Sequence, residues 1–598
     1  MLEYRVDPKC ERMKTFQRQA KQTRLSRVSA AVLVVIAAVP QPSHAIVSSL
    51  GGTGIFNGVS INDAIGADVF YNQGFGGQGA IVANIEAGAI WTGHESLNGR
   101  IAQTIYDPSI TGTQLGQADW HATMVGQAIG GSGPYLHQLG IAPLATMWAG
   151  AIATSWSAAP FVQYSTSFSI TDNSFLYAYR TATQTGISGL NADVINSSWG
   201  FGDSAGSSEL TIAIDALLSA HQVVGVFSAG NSGPGADSVG GPGTGYNGIT
   251  VAALTNSAQN LAYDTVADFS SRAPSAAYNP QTGIITPGMR ATVDIAAPGD
   301  NLTLAFYGGR TGGHVAGTDP TGGLGSYYIG DVSGTSFSAP IVAGAAALLV
   351  DAGKAFGIAE MTHPLVIKSV LMAGATPTIG WDNGQFLDES VTRTLQALDY
   401  TSGAGALDLR NSHDIYLGSS QLLAPSVYST DGLTTLGIAG GGGSAEVASS
   451  GWDLGTIQAG ANIYTLAQTL AAGSEMSAVL TWYAQRGLGV DLTSAEDVAL
   501  SNLSLEIWRL DAVDGNHLVG RSESPFGTVE HLRMNLADAG NYQFRVVWDG
   551  QNYNTAALPV LATDYGLAWS INSIPEPQTL LLLWLVSFIM VRRHRAIS

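Results

Sequence analysis

The chain has 598 residues, of which 45% are hydrophobic and 12% charged, against about a quarter charged in an average soluble protein, and its formal charge is -20. Its 74 glycines follow no three-residue period and come without a proline excess, which excludes a fibrous, collagen-like chain. High apolar content with few charges excludes intrinsic disorder, and the acidic balance excludes a nucleic-acid backbone as partner, since phosphate binding needs clustered Lys and Arg.

Residues 1–27 carry eight Lys or Arg, an apolar run follows over 28–39, and Pro40 and the small-residue site Ser43-His44-Ala45 come next. This order reads as a secretory signal peptide, residues 1–45, removed after about Ala45. Twelve apolar residues rise only about 18 Å as a helix, too little for a hydrocarbon core of about 30 Å. With both ends set aside, residues 46–574 hold 14 basic and 41 acidic residues, a net charge of about -27. The single cysteine, Cys10, lies in the signal segment, so neither a disulfide nor a thiol nucleophile is expected beyond it. Acidic loops could ligate Ca²⁺ as a structural ion, although no complete calcium-loop motif occurs; no other cofactor and no catalytic metal is expected.

Residues 80–85 read as a buried strand, with Glu86 placing a carboxylate at its end. His121 stands at the start of a small-residue helix and is a candidate base. Residues 193–196 and 223–227 read as two further buried strands, and residues 208–221 between them have Leu210, Ile214 and Leu217 on one helical face. Strand, helix, strand predicts right-handed crossovers and a doubly wound, mostly parallel sheet, whose sites lie beyond the carboxyl ends of its strands. Asn231 follows the 223–227 strand and offers an amide donor there. The Gly-rich stretch 308–325 reads as a surface loop. Ser336, within Gly334-Thr335-Ser336-Phe337-Ser338-Ala339-Pro340, opens an apolar helix, where its own N–H and the helix dipole would meet a developing oxyanion.

Gly440 to Ser444 read as a flexible linker, and strands follow, 503–507 and 542–546 alternating with period two. Asp514-Gly515 and Asp549-Gly550 are expected as turns. A β-sandwich of about 125 residues is expected, with Trp482, Trp508, Trp548 and Trp569 packing its core in preference to forming a sugar platform. The chain closes on Ile574-Pro575-Glu576-Pro577, an apolar run over 579–591 and Arg592-Arg593-His594-Arg595. This tail resembles the PEP-CTERM sorting signal of Gram-negative exported proteins, and the resemblance implies recognition by an exosortase and delivery to the cell envelope, surface or extracellular matrix. It also confines any membrane contact to the C-terminal segment.

Taken together, Gly334-Thr335-Ser336 with Pro340, His121-Ala122-Thr123, Gly230-Asn231, Ser198-Trp199-Gly200, Phe269-Ser270-Ser271-Arg272, the run 294–299 and Gly403-Ala404-Gly405 resemble the subtilisin family (subtilases, peptidase S8) over about residues 55–412. The resemblance implies an α/β, subtilisin-like domain over 52–415; the linker is expected over 416–446, the β-sandwich over 447–573 and the sorting segment over 574–598. It implies Ser336 as nucleophile, His121 as general base and acid, Asn231 as oxyanion donor, and the backbone of Ser198, Trp199 and Gly200 as the strand against which an extended polypeptide substrate pairs. Where the family carries Asp, this chain has Glu86-Ala87-Gly88, so the triad acid would be Glu86, whose carboxylate reaches about 1.5 Å further. Sedolisins, which carry Glu in place of the histidine and Asp in place of the oxyanion Asn, fit less well, since His121 and Asn231 keep the subtilisin types. About 35 residues separate Ala45 from the first strand, too few for the family's inhibitory propeptide, so activation by its removal is not expected. The expected activity is that of an exported serine endopeptidase using a Ser-His-Glu triad; the alternative is an inactive subtilase scaffold serving as a surface or matrix binding protein.

Overall fold

The computed structural model describes residues 3–4, 55–56, 59–109, 118–156, 168–256, 262–306, 328–417, 444–489, 494–511, 513–556 and 562–572. Apart from residues 3–4, the signal segment lies outside the described residues, as do the 308–325 loop, Gly440 to Gly443 of the linker and the sorting tail.

The first part of the chain runs β1 (Ile81–Glu86), β2 (Ile101–Ile105), α1 (Trp120–Gly130), β3 (Thr146–Ala151), α2 (Asp172–Arg180), β4 (Val194–Ser197), α3 (Glu209–His221), β5 (Val224–Ser228), β6 (Ile249–Thr255), β7 (Thr265–Val266), β8 (Ile295–Pro298), α4 (Thr335–Phe356) and α5 (Pro364–Ala373). The strands form one sheet in the order β7-β6-β5-β4-β1-β3-β2, with β8 also paired to β6; every pair is parallel except β6 with β7. The strands are nearly continuous apolar runs because both sheet faces are covered. Val82, Val194, Val224 and Val226 point into the core shared with α1 and α4. Their neighbours Ala83, Ile195 and Phe227 point the other way, toward Phe175, Tyr179, Ile214 and Leu217 of α2 and α3. The predicted strands and the 208–221 helix thus recur within a residue or two, the helix opening on Ser208 as N-cap, its side chain accepting from Thr211 N.

Helix α4 is long and apolar enough to cross a membrane, yet 94% of its most apolar window is buried inside the protein, so here it is the central core helix. Its run of alanines around Gly344 lets neighbours approach closely: a Cβ at Gly344 would lie 2.6 Å from Cβ of Ile141.

The second part comprises β9 (Phe386–Asp388), β10 (Val391–Thr394), β11 (Ser444–Val447), β12 (Ser450–Ile457), β13 (Ala461–Leu466), β14 (Glu475–Trp482), β15 (Gln485–Leu488), β16 (Ala495–Leu510), β17 (His517–Ser522), β18 (Val529–Asn535), β19 (Asn541–Asn554) and β20 (Thr563–Asn572). They make two sheets, β9-β10-β17-β16-β19-β13-β11, with β15 on β16, and β12-β20-β14-β18. Leu503, Leu505 and Ile507 of the first face Leu480, Leu567 and Trp569 of the second across a common core. Trp482 and Trp569 are buried, while Trp508 and Trp548 are half-buried, and the Arg545 guanidinium lies 4.0 Å over the Trp508 ring. Asp514-Gly515 lies between β16 and β17. Asp549-Gly550, expected as a turn, instead sits inside β19: Gly550 has φ 108, and the register against β16 shifts beside it, so the positive φ serves a bulge in a long strand. The pair β9–β10 precedes the linker in sequence but joins the first sheet of the sandwich through β17.

The four-stranded sheet does not hang from a tether. It lies directly on α5, placing Trp452, Val479, Val529 and Ala568 in the same core cluster as Val366, Ile367, Val370 and Leu371. Thr481 Oγ1 donates to Leu365 O at 3.1 Å, and a Cβ on Gly566 would stand 2.4 Å from that same carbonyl, so glycine permits the close approach. A fully buried ion cluster closes the contact with α3: Arg486 Nη1 meets Asp215 Oδ2 at 2.9 Å and Nη2 meets Asp497 Oδ2 at 3.0 Å. Asp215 also accepts from Tyr246 N at 2.7 Å and Asn247 N at 3.2 Å. Arg486→Met leaves two carboxylates buried without their cation, and a loss of about 3–5 kcal/mol of stability is expected, measured by equilibrium denaturant unfolding.

Candidate active site

The carboxyl ends of β1, β4 and β5 and the first turns of α1 and α4 meet at one place. Glu86, the last residue of β1, is 1% exposed. Its Oε2 lies 2.9 Å from His121 Nδ1, and its Oε1 accepts from Ser198 N at 2.7 Å. Glu86 therefore reaches the imidazole despite its extra methylene.

His121 is the second residue of α1, whose N-cap is Asp119. The ring touches Trp120 edge-on, centroids 5.5 Å apart, and tilts against Phe337 at 5.6 Å. Burial by itself would pull the imidazole down, but the neighbouring Glu86 and Asp119 carboxylates together hold its pKa above the ordinary value. With Glu86 on Nδ1, the imidazole presents Nε2 to a second group.

Ser336 is the second residue of α4, not its cap. The N-cap is Gly334, with φ 156 and ψ 147, a conformation open to glycine, and it makes no side-chain cap bond. Residue 336 belongs to the first turn, whose N–H groups have no acceptor within the helix. The Ser336 hydroxyl donates to the Ser198 carbonyl at 2.9 Å. Pro340 supplies no N–H for the carbonyl four residues before it, that of Ser336, which loosens this turn.

Asn231 lies three residues past β5. Its Oδ1 accepts from Thr335 N at 2.9 Å and Thr335 Oγ1 at 3.0 Å, and Gly230 N donates to Thr335 Oγ1 at 3.0 Å. With Oδ1 held in this way, Nδ2 faces the turn that carries Ser336: a Cβ on Gly334 would stand 3.6 Å from it. Ser198, Trp199 and Gly200 follow β4, and the Trp199 indole N–H donates to Ile85 O at 2.9 Å while its ring meets Phe175 edge-on. This pins the backbone of the segment beside the Ser336 hydroxyl.

The structure thus brings Glu86, His121, Ser198 and Ser336 into a linked set and places Asn231 on the turn leading to Ser336. Two contributors were not singled out from the sequence. Thr335 ties the turn of Ser336 to Asn231, and Asp119, two residues before His121 at a helix start, carries the N-cap signature that could have revealed it. Among the described residues no group of three or more His, Cys, Asp or Glu side chains gathers in a metal-binding arrangement. The site as described offers a base, a hydroxyl and amide donors, the parts of an acyl-transfer centre.

The subtilase family matches residues 77–405, more than half of the chain. The chain is similar to pyrolysin of Pyrococcus furiosus, 32% identical over 206 residues, covering 31% of this chain and 13% of pyrolysin. It is similar to the serine protease AprX of Bacillus subtilis, 34% identical over 142 residues, covering 24% of this chain and 28% of AprX. With subtilisin of Bacillus sp. strain TA39 it shares 28% identity over 283 residues, covering 46% of this chain and 57% of that protein. It therefore spans less than two thirds of each of these relatives.

Replacing Glu86 by Gln removes the charge that raises the imidazole, so the His121 titration midpoint is expected to fall; the Cε1 proton shift of His121 against pH in both proteins checks this.

Proposed function

Because the chain belongs to the subtilase family, we propose that it is an exported serine endopeptidase that hydrolyses extended polypeptides with Ser336 as nucleophile, His121 as general base and acid, and Glu86 in place of the usual Asp. One observation carries this reading: the single residue Ser198 receives both ends of the machinery, its N–H bonding Glu86 at 2.7 Å and its carbonyl accepting the Ser336 hydroxyl at 2.9 Å.

In this mechanism the Ser336 hydroxyl swings from the Ser198 carbonyl to His121 Nε2 when substrate enters. Oγ attacks the scissile carbonyl carbon while its proton passes to Nε2. Glu86, hydrogen-bonded to Nδ1–H, keeps the ring in the tautomer with a free Nε2 and stabilises the imidazolium that forms. The oxyanion is received by the Ser336 N–H, aided by the N-terminal dipole of α4, and by Asn231 Nδ2. His121 returns the proton to the leaving amine, and water attacks the acyl-enzyme by the same route. The substrate backbone pairs with residues 198–200 in β fashion, its orientation set by the half-buried indole of Trp199 anchored on Ile85 O.

The same proposal includes a signal-directed export, a PEP-CTERM tail read by an exosortase-type enzyme, and residence in the envelope, surface or matrix of a Gram-negative bacterium. The charged-apolar-small pattern of residues 1–45 and the Pro-Glu-Pro tail support it. Subtilases commonly hold structural Ca²⁺, and no step above depends on one.

Labelling of the purified protein with a fluorophosphonate is expected, and is expected to vanish in Ser336→Ala. Folded wild-type protein without Ser336-dependent labelling overturns the reading in favour of an inactive scaffold. Asn231→Ala is expected to lower kcat by about 10²- to 10³-fold, a figure that comes from a member of this same family. Glu86→Asp is expected to give near-normal or improved turnover, read in the same peptide-cleavage assay.

A further inference from the structure

Asp119 is 3% exposed, charged, and placed at the helix start that carries His121. Its carboxylate accepts from Ala122 N at 3.2 Å and also meets the N–H of His121. Its backbone is tied on both sides: its N donates to Ala89 O at 2.8 Å, its O accepts from Thr123 N at 3.0 Å and from Thr123 Oγ1 at 2.6 Å, and that hydroxyl oxygen accepts from Trp91 N at 3.0 Å. Residues 89 and 91 belong to the segment that leaves β1 immediately after Glu86. These main-chain bonds tie the start of α1 to the segment following Glu86, and the Asp119 carboxylate caps that same turn.

The residue type calls for explanation. Ser or Asn caps a helix about as well as Asp, without burying a charge. Burial pushes the Asp119 carboxyl up to about 6, against the pull of His121 and the Ala122 N–H. A neutral cap would avoid that desolvation. What the charge adds is a second anion beside the imidazole, and among the described residues the charged groups acting on His121 are Glu86 from β1 and Asp119 from its own helix start.

We propose that Asp119 is a positioning residue for His121: its carboxylate caps the first turn of α1 at the N–H groups of His121 and Ala122, and stabilises the imidazolium formed when Ser336 gives up its proton. This rests on the reading of His121 as the base. The proton travels from Ser336 Oγ to His121 Nε2 and on to the leaving amine; Asp119 takes none of it.

The test compares full-length wild type, Asp119→Asn and Asp119→Ala. Asp119→Asn keeps the cap and removes the charge. It is expected to retain the wild-type thermal midpoint, to lower the His121 titration midpoint seen by NMR, to move the acid limb of kcat/KM to lower pH, and to reduce kcat severalfold with KM unchanged. Asp119→Ala loses cap and charge, and a fall in thermal stability is expected in addition. An unchanged His121 midpoint and acid limb in folded Asp119→Asn overturns the proposal, whatever Asp119→Ala does. If wild type itself shows no Ser336-dependent labelling, the peptidase reading falls, and the NMR titration of His121 still decides whether Asp119 acts on it.

Discussion

A carboxylate buried at the end of a parallel strand must receive hydrogen bonds from whatever lies on either side of it, because its desolvation costs several kcal/mol. Glu86 meets that demand with two partners from different parts of the chain, the Ser198 N–H beyond β4 and His121 Nδ1 in the first turn of α1. The register of β1 with β4, Val82 opposite Val194 and Asn84 opposite Asn196, brings Ser198 within reach. Asn196 Nδ2 closes the seam by donating to Asn84 Oδ1 and to Ser198 Oγ, each at 3.0 Å. A register slip would leave Glu86 buried without these bonds, so sheet pairing and site geometry stabilise each other.

The turn into α4 is built in the same way. Gly334 supplies a backbone conformation that a side chain would resist, Thr335 is gripped by Asn231 and Gly230, and Ser336 is left as the next residue with its hydroxyl pointing into the site. Rigidity is concentrated in the residues flanking Ser336, while its hydroxyl is held by one exchangeable hydrogen bond. Among the described residues, that is the bond a substrate displaces for the nucleophile to turn toward His121.

Much of this was legible in the sequence because it is local. Buried parallel strands write themselves as short apolar runs, the helix over 208–221 carries its period and its cap, and the motifs around His121, Asn231 and Ser336 are contiguous. The rest depends on pairings between distant residues that leave no local mark. Nothing around Phe386 or Val391 announces that this hairpin will extend a sheet whose other strands lie more than fifty residues further on. Arg486 and Asp215, 271 positions apart, look like ordinary surface charges until the fold buries them together. Asp549-Gly550 has the composition of a turn, but pairing with β16 on both sides of Gly550 converts it into a bulge. Glu86 was recognisable as an acid at a strand end; that its longer side chain could still meet the imidazole was decided by how α1 is seated.

Helix α5 lies between the central helix of the first part and the four-stranded sheet of the second, contributing to one continuous apolar core. Neither layer can leave without exposing that helix to water on the side it vacates. The two parts are therefore expected to melt together: loosening the β-rich part removes a wall of the core on which α4 rests, and with it the support of the turn that carries Ser336. In such a chain damage to the distal sandwich is felt as loss of the whole cooperative unit, although the sandwich supplies none of the proposed reacting groups.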